Sequence, residues 1–351
     1  MKNRIFYVDL LRVVAIFFVI LLHVAAINWS YIAGLDWYNV PLDSWLWKVS
    51  NFYSSIGRFC VPVFFMISGM FFLDPNYNLS LEKLFKKNIL RIVTAYIFWS
   101  ALYAVTVSWL VFSHTGQFTV TFLLERFFLG NYHLWFLYAI IGLYLIVPFL
   151  RLITVHNKLL KYFLLLSLIF AIIIPTLQLF APFTKTKEIT DDISLYFVMG
   201  YVFYFMLGYY LANINTAPYK FIYIILGIIG ALSTTILTYV SSVQANYPDG
   251  RFLNYLVFSN VLLSVAVFLF FKDFIGKLSF KEKNIKVILL FSNFAFGMYL
   301  CHDFFVKIFT GMVAMFDPVL SIPLVTIVVF LCSFIVVAVL NKIPVLNKYI
   351  I

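Results

Sequence analysis

The sequence predicts an all-α, polytopic transmembrane helical bundle of about ten spans with both termini cytoplasmic, and three observations predict it. First, 64% of the 351 residues are hydrophobic and only 11% are charged, against roughly 25% charged in an average soluble domain. A soluble fold has too little polar surface to cover that much apolar material. Second, the apolar residues fall in blocks near the roughly 20 residues that a helix needs to cross a bilayer. Third, the basic residues are unevenly distributed. With an even number of spans, 17 of the 25 Lys and Arg fall on the side of the termini, which is the positive-inside pattern.

Taken in order, spans are expected near 6–27, 52–73, 89–112, 132–150, 159–180, 195–212, 219–240, 253–271, 286–305 and 318–340. The first is too polar in its middle for a cleaved leader, and no small-residue cleavage site follows it. The second carries Pro62, which should bend it or free a carbonyl, and the pair Ser68–Gly69, which should let another helix approach closely. The block at 195–212 is the shortest. Outer loops near 28–51, 113–131, 181–194 and 241–252 hold Pro41, Gly116, Gly130, Pro182, Pro248 and Gly250 and could form a substrate mouth. Asp191 and Asp192 read as solvated loop charges. No repeat of 20–50 residues stands out, so residues 1–351 read as one integral membrane domain. Cys60, Cys301 and Cys332 all fall in spans, so they imply no disulfide framework.

The net charge of +11 follows topology and attraction to anionic lipid rather than nucleic acid, for which no partner role is expected. A multi-pass location in the cell (inner, cytoplasmic) membrane is expected.

Ionisable groups inside spans are costly and mark function by default. The first span holds Asp9, Arg12 and His23 in YVDLLRVVAIFFVILLH. Eleven residues make about three helical turns, so Arg12 and His23 share a face, roughly 16 Å apart along the axis. Asp9, one turn before Arg12, can pair with it. A guanidinium suits phosphate, and an imidazole further along suits general-base work. Read singly, Arg12 is equally a snorkelling residue and His23 an interhelical hydrogen-bonder; the shared face favours function.

His133, in NYHLWFL, and His302, in GMYLCHDFF beside Asp303, fall near the depth of His23. Without HExxH or CxxC, and with few carboxylates nearby, no metal is expected. Arg58 lies where an acceptor or an acyl oxyanion needs a cation. Glu125 and Arg126, in FLLERFFLG, could form a re-entrant or interfacial pair.

These motifs together resemble those of the membrane acyltransferase-3 family over most of the chain. DLLRVVAIFFVILLH is similar to its first-helix pattern of Arg or Lys followed by His, RFCVPVFFMISG to a second-helix pattern, HLWFL to a mid-chain one and GMYLCH to a late-helix one. The resemblance implies transfer of an acyl group, usually acetyl from acetyl-CoA, to a hydroxyl of a surface glycan or its lipid-linked precursor. It implies that Arg12 and His23 are the essential pair and that His302 takes the late histidine; from the residues themselves, Arg12 is expected to hold the donor, and Asp9, which orients it, counts with His302 as catalytic. His133 and Trp135 take the HLWF motif; with Arg58 and, more weakly, Glu125 they are the candidates for contacting the acceptor. Two other classes stay open: a transporter or flippase for a glycan or lipid-linked intermediate, and a structural subunit of a polysaccharide synthase. Inverted repeats, which many transporters show, are not evident.

Overall fold

The computed structural model describes residues 4–26, 41–77, 79–180 and 195–351. The substrate-mouth reading of most of 28–51 and of 181–194, with Pro182, Asp191 and Asp192, lies outside the described residues. Among the described residues there are helices and turns and no strand, as expected where backbone groups cannot turn to water for hydrogen bonds. Nine helical stretches are long and apolar enough to cross a membrane among the described residues.

Helix α1, Phe6–Ala25, is apolar on nearly every side and buried accordingly. It packs against α2 (Trp45–Ile56), α3 (Cys60–Phe72), α11 (Glu282–Phe309) and α12 (Pro318–Leu340). The block expected at 52–73 departs from a single unbroken helix. The helix starts earlier, at Trp45, where Ser44 Oγ accepts a hydrogen bond from Trp47 N at 3.2 Å. It then breaks across residues 57–59. Pro62 is not the kink: it sits in the first turn of α3, where an intrahelical N–H would lack a partner anyway. The break places Arg58 at a turn rather than on a helix face.

A helix at Leu90–Thr115, α4, is entered through a π-helical turn at Leu84–Ile89. It ends on Gly116, whose φ of +68° closes the last turn in the left-handed region that favours glycine. The expected loop at 113–131 contains an exposed helix, α5 (Val120–Leu129), which packs on α4. Then come α6 (Trp135–Thr154) and α7 (Asn157–Ser167), the latter prolonged through a π-helical turn to Leu177.

The block at 195–212 becomes α8, Val202–Asn213, whose 12 residues reach only about 18 Å and so cannot span the hydrocarbon core alone. It is held by backbone contact with α3. A methyl group on Gly69 would overlap the Phe205 carbonyl, and one on Gly208 would overlap the Met66 carbonyl. This is the close approach that Ser68–Gly69 predicts. Helices α9 (Lys220–Ala245) and α10 (Phe258–Asp273) pair in the same way, with Gly227 against Ala266 and Gly230 against the Ser259 carbonyl. A short helix, α13 (Pro344–Tyr349), follows α12. The last turns of α1 and α11 and the first turns of α3 and α6 meet at one end of the bundle, and the candidate residues gather there.

Candidate active site

Two polar centres lie at different depths along α1. The deeper one joins three histidines. His23 is in the last turn of α1, His302 is in α11, and His133 is in the tight turn Tyr132–Leu134 that precedes α6. Asn131 caps that turn by accepting a hydrogen bond from Tyr132 N at 3.1 Å. The ring centroids are 5.0 Å apart for His23–His302, 5.0 Å for His133–His302 and 6.2 Å for His23–His133. His133 and His302 are 2% and 0% exposed, whereas His23 is half-buried as a residue.

The tautomer of His302 follows from its partner. Its Nδ1 lies 2.6 Å from the Tyr299 carbonyl oxygen. A carbonyl only accepts, so in the neutral ring Nδ1 carries the hydrogen and Nε2 is the basic nitrogen. That Nε2 is buried without a protein partner, as are both ring nitrogens of His133. Buried polar atoms left unpaired are costly, and three in one cluster point to a ligand or water between the rings.

Asp303, 1% exposed, supplies the negative charge of this centre. It accepts hydrogen bonds from Asn131 Nδ2 at 2.6 Å and from the Tyr132 hydroxyl at 2.6 Å, and it pairs with Lys307 Nζ at 2.8 Å. Asn131 thus ties the histidine turn to α11. The Tyr299 hydroxyl donates to the His133 carbonyl, a second tie between the same elements. The Tyr132 ring stands 5.2 Å from His23. Asp303 and Lys307 are four apart on a helix next to His302, a spacing legible in sequence; Asn131, Tyr132 and Tyr299 drew no such signal beyond nearness to a histidine.

The second centre surrounds Asp9, which is 1% exposed. The expected Asp9–Arg12 pair is present but loose, at 3.3 Å. The closer partner is Arg4, whose Nε and Nη2 reach the carboxylate at 2.8 and 3.0 Å, with the Ser292 hydroxyl at 2.6 Å. The hydrogen bonds that it donates to Asp9 hold the Arg4 guanidinium above its ordinary pKa. Arg4 counted only as a topology charge in the sequence, because it lies outside the apolar run; Ser292 gave no signal. Arg12 keeps 32% of its side chain exposed, over the Phe71 ring at 5.6 Å. Tyr144 lies within electrostatic reach of both Arg12 and Arg91. With Asp9 already matched by Arg4, the charge of Arg12 is largely uncommitted and suits phosphate.

Between the centres, the stripe from Arg12 to His23 is filled by Ile16, Val19 and Ile20, all fully buried. The two groups therefore share a helix face but not an open channel in this arrangement.

The remaining candidates divide. Arg58 is within electrostatic reach of His23, and its guanidinium lies over the Tyr255 ring at 5.4 Å. Trp135 is close by, 5.9 Å from Tyr255. Glu125 is exposed on α5, and no contact among the described residues joins it to the histidines. An open groove of about 360 Å³, lined by Leu42, Asp43, Tyr239, Val243 and Asn246, includes none of the candidates. Among the described residues, no group of three or more His, Cys, Asp and Glu is arranged to hold a metal.

Comparison with known proteins gives one match. A family model described as an acyltransferase domain, acyltransferase-3, covers residues 5–338. No protein of curated function and no solved structure gives a significant match.

Proposed function

This chain belongs to the membrane acyltransferase-3 family, and on that premise we propose that it is an O-acetyltransferase, moving acetyl from cytoplasmic acetyl-CoA to a hydroxyl of a cell-surface glycan or its lipid-linked precursor. The observation that carries this reading is the meeting of three imidazoles from α1, α11 and the turn before α6, with ring centroids 5.0 to 6.2 Å apart and a buried carboxylate beside them. The family match does not favour the transporter reading.

In the proposed mechanism, the donor phosphates meet Arg12, where charge-assisted hydrogen bonds are strong. The thioester end lies at His23. A ring nitrogen of His23 takes the proton of the acceptor hydroxyl as its oxygen attacks the thioester carbonyl. The C–S bond then breaks, and the imidazolium returns the proton to the departing thiolate. Arg58 is the cation nearest the developing oxyanion. The negative charge of Asp303 favours the transient imidazolium, and its three donors fix its position. Nε2 of His302, an acceptor in the neutral ring, takes a hydrogen bond from a second hydroxyl of the acceptor and so orients the first. A covalent route, in which His23 itself carries the acetyl group, uses the same residues and differs in giving ping-pong kinetics.

The test is acetyl transfer by the purified protein in nanodiscs, with acetyl-labelled acetyl-CoA and a glycan extract as acceptor. His23→Ala should lower turnover by about 10²–10⁴-fold, the usual range for losing a general base, while keeping the thermal transition of the parent. Undiminished turnover by the folded variant removes His23 from the mechanism.

A further inference from the structure

Beside the histidines lies a second cluster, of which the acyl-transfer chemistry uses Arg58 alone. Trp135 opens α6, Tyr201 immediately precedes α8, and Tyr255 lies in the turn before α10. The Trp135 ring is 5.2 Å from Tyr201 and 5.9 Å from Tyr255, and Phe65 stacks on Tyr201 at 4.7 Å. Arg58 closes the group over the Tyr255 ring. Trp135, Tyr201, Tyr255 and Arg58 are each only half-buried, although they come from four separate segments.

The polar atoms of this group are unusual for a packing core. Arg58 Nε is buried and has no hydrogen-bond partner. Among the described residues, the Trp135 indole N–H and the Tyr201 hydroxyl also meet no protein partner. Aromatic side chains that pack by their rings normally satisfy their polar tips as well. Here three donors stay free around an aromatic surface, within reach of the catalytic end: Arg58 acts electrostatically on His23, and Phe136 bridges Phe65 at 4.8 Å to Tyr299 at 5.7 Å, the residue tied to His133.

We propose that Trp135, Tyr201, Tyr255 and Arg58 form the acceptor subsite, in which a sugar ring lies with its C–H surface against the aromatic rings and its hydroxyl oxygens on the free N–H and O–H donors. This rests on the acyltransferase reading for the purpose of the site but not for its chemistry. A pyranose has an apolar C–H surface and a rim of oxygen acceptors, which matches both halves of the cluster. A lipid chain would cover the rings and leave the donors unpaired, at a cost. A free phosphate would use Arg58 and leave the aromatic surface without purpose.

The experiment uses the full chain in nanodiscs with methyl glycosides of glucose and N-acetylglucosamine as probes and 1-propanol as the non-sugar control. Binding is read from the part of the tryptophan fluorescence change that Trp135→Phe abolishes. Turnover is read with acetyl-labelled acetyl-CoA. Tyr201→Phe, which keeps the ring and the packing but removes a free donor, should raise the sugar KM at least threefold. Tyr201→Ala and Tyr255→Ala should raise it at least tenfold. The KM for acetyl-CoA should move by less than twofold in all three. A sugar-dependent fluorescence change left undiminished by Trp135→Phe, or a sugar KM indifferent to all of these variants, overturns the subsite. So does equal binding of 1-propanol. If the parent protein neither binds nor cleaves acetyl-CoA, the acyltransfer reading fails instead, and the fluorescence titration still decides whether sugar binds here.

Discussion

Arg4 and Arg12 divide the labour around Asp9 in a way that residue spacing alone misassigns. Spacing puts Asp9 and Arg12 one turn apart on α1, and they do touch, at 3.3 Å. The tighter, two-pronged pair is with Arg4, from the segment before the helix. Local periodicity reports neighbours along a helix but not a chain that folds back over its own first turn. The consequence is a separation of roles. Arg12→Gln should raise the KM for acetyl-CoA by about 10- to 100-fold, since a hydrogen bond to a charged group contributes about 1.5–3 kcal/mol. It should change the KM for acetyl-pantetheine, which has no phosphate, far less. Arg4→Gln should instead lower the thermal transition, because it strips the buried Asp9 of two hydrogen bonds. Equal effects of Arg12→Gln on both donors would remove Arg12 from phosphate binding. The histidines were more legible than this pair. Three imidazoles at span edges at one predicted depth are rare enough in an apolar chain to be noticed, and the structure brings them together. Their supports were not legible: Asn131, Tyr132 and Tyr299 are ordinary interfacial residues until their partners are known.

At the scale of elements, apolar run length located most helices within a few residues. The run at 318–340 coincides with α12, which Asp317 caps by accepting from Val319 N at 2.8 Å. It was less informative where packing overrides length. Helix α8 is too short to span alone, and backbone contact with α3 through Gly69 and Gly208 holds it in place. Small residues permit such contact where lipid offers no hydrophobic drive to association. Gly69→Ala should destabilise the detergent-solubilised protein by about 1–3 kcal/mol, the usual cost of overpacking, because the opposing Phe205 carbonyl is backbone and cannot rotate away. The check is the midpoint of fluorescence-detected thermal aggregation. A midpoint equal to the parent's would mean that α3 and α8 are not in backbone contact. The break between α2 and α3 has a consequence for the site: it sets Arg58 at a turn, over the Tyr255 ring and within electrostatic reach of His23, where an unbroken helix would have fixed its direction by periodicity.

Across the whole molecule, α1 is the axis on which both polar centres depend, and α11, α3 and the turn before α6 supply their partners. The sequence expressed this as one stripe, Arg12 to His23, and the structure adds that Ile16, Val19 and Ile20 close the stripe between them. A donor spanning both centres must therefore part α1 from a neighbouring helix along that stretch, at the expense of apolar packing and in exchange for contacts at the two ends. Fold class was legible because composition and run length are properties of the whole chain. The closure was not, because it depends on which side chains face α1 from three other helices.

The account stands most directly on where the acyl end of the donor comes to rest. Photolysis of a diazirine-bearing acyl-CoA bound to the purified protein, followed by peptide mapping, measures it. The account predicts labelling of peptides carrying His23, His133 or His302, abolished by excess acetyl-CoA and weakened in Arg12→Gln. Labelling that competes with acetyl-CoA but maps only to segments away from all three histidines would contradict it.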